Sequence, residues 1–359
     1  MQFLFVPVWG RLSDRWGRRP ILLVSIAGSA VSFFLLGTAR SLEQLFVARI
    51  LSGLATSNLS VAQAYVADIT PPEERARGMG LVGAAFGLGF VVGPFLGGEL
   101  SRTTLALPAG LVVRAGTAPF FLSAALAAAN WLLAWRLLPE SRRPGGTLAE
   151  RPRIFDGAEF RRVVAKPGIA GLLAVSFLAT VAFSMMEQTL ILFGERRVSM
   201  DAAGAGRLLG FAGVLMVLVQ GGLVGRLARR YGEAALTVAG AALIIPGLLL
   251  IPAAQGYGLL YLAMAPLAAG SGLLHPSMHA LLSRRSPAED QGGVLGLAQS
   301  LSSLARVVGP ATGGWIFQAH GIASPYYLGA ALMAAAALVA ARAAGVDESA
   351  AGVGESAAG

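Results

Sequence analysis

The sequence predicts an all-α integral membrane protein of two helix bundles related by a parallel internal repeat, with about eleven transmembrane helices. Three observations carry that reading. Charges are too few to cover a soluble surface, apolar runs of about twenty residues recur down the whole chain, and a glycine-rich pattern returns about 216 positions later.

Of 359 residues, 55% are hydrophobic and 13% charged, with a mean hydropathy of +0.67. A soluble domain carries about 25% charged residues. The net charge of +9 is almost all arginine, Lys166 being the only lysine, and the arginines lie between apolar runs. A nucleic-acid binder would gather them on one soluble face, so that class is excluded. The chain has no cysteine, which removes disulfide frameworks, thiolate catalysis and Cys-ligated zinc. It also lacks a P-loop, an H-E-x-x-H and a G-x-S-x-G. No enzyme activity, cofactor or metal is expected.

The opening residues put an apolar stretch before the arginines, the reverse of a signal peptide. At about nine residues that stretch is too short to span, so it reads as the end of a helix. Spans follow near Ile21 to Thr38, Leu42 to Ala67, Gly78 to Leu100 and Ala118 to Leu138, closing an N-terminal bundle over residues 1–138. Residues 139–166, rich in Pro and Arg, read as a linker. A C-terminal bundle over 167–342 holds spans near Gly168 to Phe193, Leu208 to Leu227, Ala234 to Ile251, Tyr257 to Leu282, Gly292 to Gln318 and Pro325 to Ala341. Residues 343–359 read as a disordered tail. Alternating the spans gathers Arg11, Arg15, Arg18, Arg19, the linker, Arg226 to Arg230, Arg284 and Arg285 on one face, which the positive-inside rule makes cytoplasmic. The other face keeps Arg40, Arg102, Arg114, Arg196, Arg197 and Arg207. The expected location is the inner (plasma) membrane, with linker and C-terminus cytoplasmic.

The repeat fixes the parallel relationship of the bundles. Gly80, Gly93, Pro94, Gly97 and Gly98 are matched by Gly296, Gly309, Pro310, Gly313 and Gly314, and GRLSDRWG from Gly10 by GRLARRYG from Gly225. The partner of the first span of the second bundle then falls about fifty residues before Met1. The expectation is a twelve-helix ancestor whose first helix and most of the second are missing here; a natural variant without that helix is the alternative.

Three segments carry motifs. GRLSDRWGRRP, Gly10 to Pro20, combines glycines for a tight turn, Asp14 among Arg15, Arg18 and Arg19, and a proline opening the next helix. LFVARILSGLA places Arg49 inside an apolar helix, where a charge is costly unless it meets a cavity, a partner or the interface to which it can snorkel. Gly80, Gly89, Gly93, Pro94, Gly97 and Gly98 satisfy G-x8-G-x3-GP-x2-GG. Gly89, Gly93 and Gly97 then form a smooth face for close helix approach, and Pro94 removes one backbone hydrogen bond.

Together these segments resemble the major facilitator superfamily, and most closely its drug:proton antiporter branch. AYVADITPPEERARGMG and RLLPES extend the likeness toward tetracycline and multidrug efflux proteins. The resemblance implies that Gly10, Asp14, Arg15, Gly17, Arg18 and Arg19 form a cytoplasmic gate, with Asp14 reaching the other half and the arginines pairing with nearby acids. It ties Arg49 to proton coupling, although Ser52 departs from the usual glutamine, and it makes the Gly89 to Gly98 helix the antiporter element. The implied activity is proton-coupled efflux of amphipathic drug-like molecules by alternating access; uptake of a metabolite by a symporter or facilitator of the same superfamily is the alternative. The implied partners are a small-molecule substrate, protons and the bilayer, with a monomeric protein.

The remaining polar residues inside apolar helices are candidates by position alone. Glu187 and Arg306 are candidates for proton coupling or transport, Glu187 as the acid placed to substitute for the proton carrier that the resemblance puts in the missing first helix, and the repeat puts Phe90 where Arg306 stands. Arg306 is expected to pair with an acid or an anionic substrate group. Asn58, Gln63, Gln188, Gln220 and His275 are candidates for lining a substrate cavity. His275 and His279 have the spacing of a metal pair, but no acidic third ligand stands near them in sequence, so cavity lining or packing is the expectation.

Overall fold

The computed structural model describes residues 2–56, 58–71, 74–106, 112–113, 115–141, 168–286 and 291–356. The linker predicted over 139–166 therefore lies almost wholly outside the described residues. The chain divides into two compact units, Met1–Ile154 and Phe155–Gly359.

The first unit runs α1 (Gln2–Trp16), α2 (Arg18–Thr38), α3 (Leu42–Ala55), α4 (Leu59–Ile69), α5 (Arg75–Ser101) and α6 (Ala118–Leu137). Leu105–Ala106 and Val112–Val113 add one antiparallel two-residue ladder between α5 and α6. The centre of the unit is α2, which packs on α3 and α6. Small residues permit this: a Cβ on Gly28 would stand 3.0 Å from that of Ala55, and one on Gly37 would press on the Phe121 ring. Lipid offers no hydrophobic drive for such pairing, so close packing and interhelical hydrogen bonds hold it. The Ser25 hydroxyl donates to the Ala55 carbonyl at 2.6 Å and the Trp9 indole to the Leu54 carbonyl at 2.7 Å.

Two elements of this unit differ from the sequence expectation. The turn predicted over Gly10 to Pro20 shrinks to one residue, because α1 continues through Gly10 to Trp16 and α2 begins at Arg18. Only Gly17 breaks the helix, at φ 99° and ψ 157°, and Pro20 is tolerated in the first turn, where its missing N–H has no intrahelical partner. The span predicted as one helix over Leu42 to Ala67 is two, interrupted after Ala55. Thr56, whose hydroxyl and N–H both bond back to the Ser52 carbonyl, ends α3, as expected of a side chain that competes for backbone partners.

The second unit runs α7 (Ile169–Val198), α8 (Ala202–Leu218), a π-helical turn (Val219–Leu223), α9 (Val224–Leu250), α10 (Tyr257–Arg285), α11 (Gln291–Ala319) and α12 (Ser324–Ser356). The Asp201 carboxylate caps α8 by accepting from the Gly204 N–H at 2.8 Å, so this helix starts ahead of its apolar run. Inside α9 the backbone breaks at Gly232, with φ 79° and ψ 158°. These are nearly the angles of Gly17, its counterpart in the repeat. A duplication visible as letters is thus also visible as a repeated backbone break.

Pairs of helices in this unit approach to backbone contact. A Cβ on Gly240 of α9 would lie 2.7 Å from the Leu274 nitrogen of α10, and one on Gly270 would lie 2.6 Å from the Gly240 carbonyl oxygen. The Phe193 and Tyr326 rings meet edge to face, 5.4 Å apart, joining α7 to α12. The helix α12 extends to Ser356, whereas a disordered tail was expected from residue 343. Its alanine-rich sequence has high helix propensity and carries the helix past the apolar run.

Among the described residues, six helical stretches are long and apolar enough to cross a membrane, including the 52-residue Ala202–Ala253 stretch. That stretch contains two of the spans read from sequence. The fold class is the expected one, all-α and membrane-embedded.

Candidate functional site

At the end of the first unit where α1 meets α2, the Gly17 break lets two helix ends face one buried cation. Arg18 is 2% exposed. Its guanidinium pairs with Asp14 at 2.9 Å across the break and with Asp68 of α4 at 3.1 Å, and donates to the Ser13 hydroxyl. Asp68 also accepts from Ser141 at 3.3 Å. Two carboxylates on one guanidinium satisfy a charge that burial would otherwise make prohibitive.

Glu140, beyond the end of α6, closes the same cluster. Its carboxylate accepts the Arg18 N–H at 2.8 Å and the Arg19 N–H at 3.2 Å, capping the N-terminus of α2 from a distant part of the chain. The carboxylate lies where a Cβ on Gly17 would be, 2.5 Å from Oε2. Arg19 in turn donates to the carbonyls of Leu138 and Trp135, both at 2.7 Å, at the end of α6. The Tyr65 hydroxyl donates to the Pro139 carbonyl at 3.1 Å. The network thus ties α1, α2, α4 and the α6 terminus together.

The residues predicted as a gating loop fall as follows. Asp14, Arg18, Arg19 and Gly17 are in the network, Arg15 is exposed, and Gly10 lies within α1 with open space beside it. The acids Asp68 and Glu140 had not been given a role from sequence. Their signal was present: each is an acid at the boundary of an apolar run, in ADIT and in LLPES.

The glycine helix behaves differently from its expectation. Gly89, Gly93 and Gly97 of α5 have no atom of the described residues within 4 Å of a built Cβ, while Gly98 is buried and Pro94 sits inside the helix. The side-chain position of Gly80 is outside the described residues. Close approach occurs instead at the repeat positions in α11. A Cβ on Gly309 would run into the Ser184 hydroxyl and lie 2.8 Å from the Val181 carbonyl oxygen, and one on Gly313 would lie 2.5 Å from Met185. Arg49 is on the exposed side of α3, Asn58 is half-buried at the start of α4, and Gln63 is exposed. None of these three meets the Arg18 network.

In the second unit, α7 and α11 cross at Ser184, whose hydroxyl donates to the Ala305 carbonyl at 3.3 Å, and at Ser176, 3.4 Å from Ser302. Beside that crossing stand Glu187, half-buried on α7, and Arg306 on α11. Arg306 is within electrostatic reach of both Glu187 and His275, and His275 of His279. His275 also lines a small cavity with Ala179, Phe183, Ser271 and Leu274. Gln188 is exposed, and Gln220 falls in the π-helical turn, a distortion common at functional positions that no sequence pattern announced. Arg306, on the exposed side of α11, thus interacts with Glu187 and with His275 through charge alone, and Gln188 and Gln220 make no side-chain contact with any of the three among the described residues. No group of three metal-ligating side chains occurs among the described residues.

The sequence model of the Major Facilitator Superfamily matches residues 1–265 and 222–358. The chain belongs to that superfamily, whose members are membrane transporters. It is 35% identical over 314 residues to the class C tetracycline resistance protein of Escherichia coli, covering 86% of this chain and 75% of that protein. It is 32% identical over 310 residues to the class G tetracycline resistance protein of Vibrio anguillarum, covering 86% and 76%. Among solved structures it resembles the human organic anion transporter MFSD10, with TM-score 0.69 and 27% identity, covering 94% of this chain and 80% of that one. A bacterial homologue of the lysosomal transporter Spinster shares the fold, with TM-score 0.70 at 17% identity over 95% of this chain and 84% of that one.

Proposed function

We propose that this protein exports amphipathic, drug-like small molecules from the cell in exchange for protons, by alternating access between two helix bundles. The observation that supports this reading best is the 35% identity to a tetracycline resistance protein over 86% of the chain. In this reading the N-terminal bundle covers residues 1–138, a linker 139–166, and the C-terminal bundle 167–342. The protein sits as a monomer in the inner membrane with the linker and C-terminus in the cytoplasm, where the positive-inside rule puts the arginines.

The Arg18 network is then a cytoplasmic latch. Asp14, Asp68 and Glu140 hold the ends of four helices around one cation, so a change in the position of any of these helices trades ion pairs rather than exposing a bare charge. Breaking a buried pair by removing one partner costs about 3–5 kcal/mol, enough to bias the balance between two conformations strongly. Arg49 serves proton coupling. Gly89, Gly93, Pro94 and Gly97, open in their own unit, form the sliding surface of the antiporter helix, and Glu187 and Arg306 line the transport path with His275.

The test is accumulation of tetracycline by energised cells making the chain, with and without a protonophore. Lower accumulation that the protonophore abolishes is the expected result; accumulation equal to that of cells lacking the chain under both conditions sinks the efflux reading.

A further inference from the structure

We infer that the cavity beside Ser271 and His275, in the core of the second unit, binds one ordered water, which hydrogen-bonds both side chains and stabilises the turn of α10 that leads into Pro276. The inference goes beyond the export reading and does not depend on it.

The hydroxyl of Ser271 needs a partner. The residue is 1% exposed, and its Oγ has no hydrogen-bond partner among the described residues. Ser25, Ser184 and Ser286, which are buried in the same way, donate to the carbonyls of Ala55 at 2.6 Å, Ala305 at 3.3 Å and Leu282 at 2.6 Å. Ser271 has the Leu267 carbonyl one turn back as its usual acceptor and does not use it. An unpaired hydroxyl in an apolar interior is costly, so such groups are as a rule bonded to protein or to water.

Ser271 and His275 stand one helical turn apart on α10 and line the same cavity, whose other walls include Phe183 of α7, Ile244 and Leu248 of α9 and Met333 of α12. The cavity has room for about one water molecule. The imidazole of His275 makes no hydrogen bond among the described residues either. A neutral imidazole offers one donor and one acceptor, and a hydroxyl can donate or accept, so a single water can bond both. Pro276 adds a third group. It has no N–H, so the Gly272 carbonyl one turn back loses its helical donor, and inside a membrane-spanning helix water is one of the groups that satisfies such a carbonyl. A buried water typically makes about three hydrogen bonds, which this turn of α10 can supply.

The walls decide against other occupants. A wholly apolar cavity stays dry, but this one has a hydroxyl and an imidazole on its wall. Among the described residues no carboxylate lines it, so a metal ion or an ammonium group would lack a compensating charge, and no arginine or lysine lines it to balance an anion. An organic ligand is larger than the space. Water is neutral, small enough, and both donates and accepts.

Ser277 provides a matched control. It is also 1% exposed on α10 with an unpartnered hydroxyl, but it does not line this cavity. Thermal unfolding of the purified chain in detergent compares Ser271→Ala with Ser277→Ala, two variants with the same gain in helix propensity. Removing an unpaired buried hydroxyl is neutral or stabilising, so Ser277→Ala is expected to leave Tm unchanged or raise it. Ser271→Ala takes a partner from the water and from the group behind it, and is expected to lower Tm by about 2–4 °C. Combined with His275→Leu it should cost less than the two single variants summed, because both act through one water. A Tm for Ser271→Ala at or above that of the wild type, an equal fall in Ser277→Ala, or losses that simply add overturns the inference. The comparison of the two serines stands even where His275→Leu does not fold. A crystal structure at a resolution that shows ordered water is expected to place one within hydrogen-bond distance of Ser271 Oγ, and a cavity without density there overturns the inference as well.

Discussion

Glu140 accepts the backbone N–H of Arg18 at 2.8 Å although 122 residues separate them, so the carboxylate serves as an N-cap supplied from beyond the end of α6. Gly17, which stands at the N-cap position itself, has no side chain to do so. The arrangement joins the dipole of α2 to the end of α6 and puts a negative charge where the helix favours one. Glu140→Ala is therefore expected to destabilise the first unit by about 1–2 kcal/mol, and Glu140→Gln by less, because the amide oxygen still caps without the charge. Thermal unfolding of the purified variants checks this; equal losses for Ala and Gln would show that the charge contributes nothing.

Gly17 and Gly232 give a matched comparison. Both have positive φ, 99° and 79°, so alanine is strained at either. Only Gly17 has a neighbour in the way, Glu140 Oε2 at 2.5 Å from a built Cβ, whereas nothing lies within 4 Å at Gly232 among the described residues. Gly232→Ala should cost about 1–2 kcal/mol from strain alone, and Gly17→Ala more, because it also displaces the cap. The same unfolding measurement reads the difference, and equal costs would mean that Glu140 moves aside freely.

How much of this was legible in the sequence depends on the kind of feature. Apolar runs and boundary arginines gave the spans because the bilayer imposes a length and a charge asymmetry that single residues report. The repeat gave the paired glycine breaks because Gly17 and Gly232 are needed by local backbone geometry. The partners of Arg18 were not legible in the same way. Asp68 and Glu140 come from sites 50 and 122 residues away, brought in by helix packing that no local pattern encodes. The glycine face of α5 was legible as a smooth surface but not as to what covers it, and its copy in α11 shows the close contact inside a unit. The break after Ala55 was missed because hydropathy averages over a polar Thr-Ser-Asn step, where the Thr56 hydroxyl bonds back to the Ser52 carbonyl at the end of α3.

Gly93 and Gly309 occupy equivalent places in the repeat and differ in surroundings. Alanine at Gly309 would meet Ser184 and the Val181 carbonyl, so Gly309→Ala is expected to separate α7 from α11 and cost about 1–3 kcal/mol by overpacking. Gly93→Ala meets nothing among the described residues and should leave stability within about 0.5 kcal/mol. If Gly93 belongs to the sliding surface of the antiporter helix, its alanine variant will be well folded yet slow in tetracycline efflux. Folded yield and initial efflux rate, measured on the same preparations, separate the two roles; unimpaired efflux by Gly93→Ala sinks that assignment.

The last prediction concerns an ion pair whose polarity is reversed between the units. Where the first unit has Arg18 one residue past its glycine break, the second has Glu233 one residue past Gly232. Glu233 pairs with Arg284 near the end of α10 at 3.1 Å, as Arg18 pairs with Asp68 near the end of α4 at the same distance. The geometry is alike and the solvent is not: the Arg284 side chain is 72% exposed and that of Arg18 3%. Solvent screens the first pair and leaves it worth about 0–1 kcal/mol, whereas removing one partner of the buried pair costs about 3–5 kcal/mol. Arg284→Ala should therefore be nearly silent in unfolding and in efflux, and Arg18→Ala damaging in both. Asp68→Asn should fall between, because Asp14 still holds the guanidinium at 2.9 Å. A loss in Arg284→Ala as large as that in Arg18→Ala would mean that Arg284 is shielded from solvent in the membrane-embedded protein and that the second unit carries a latch of its own.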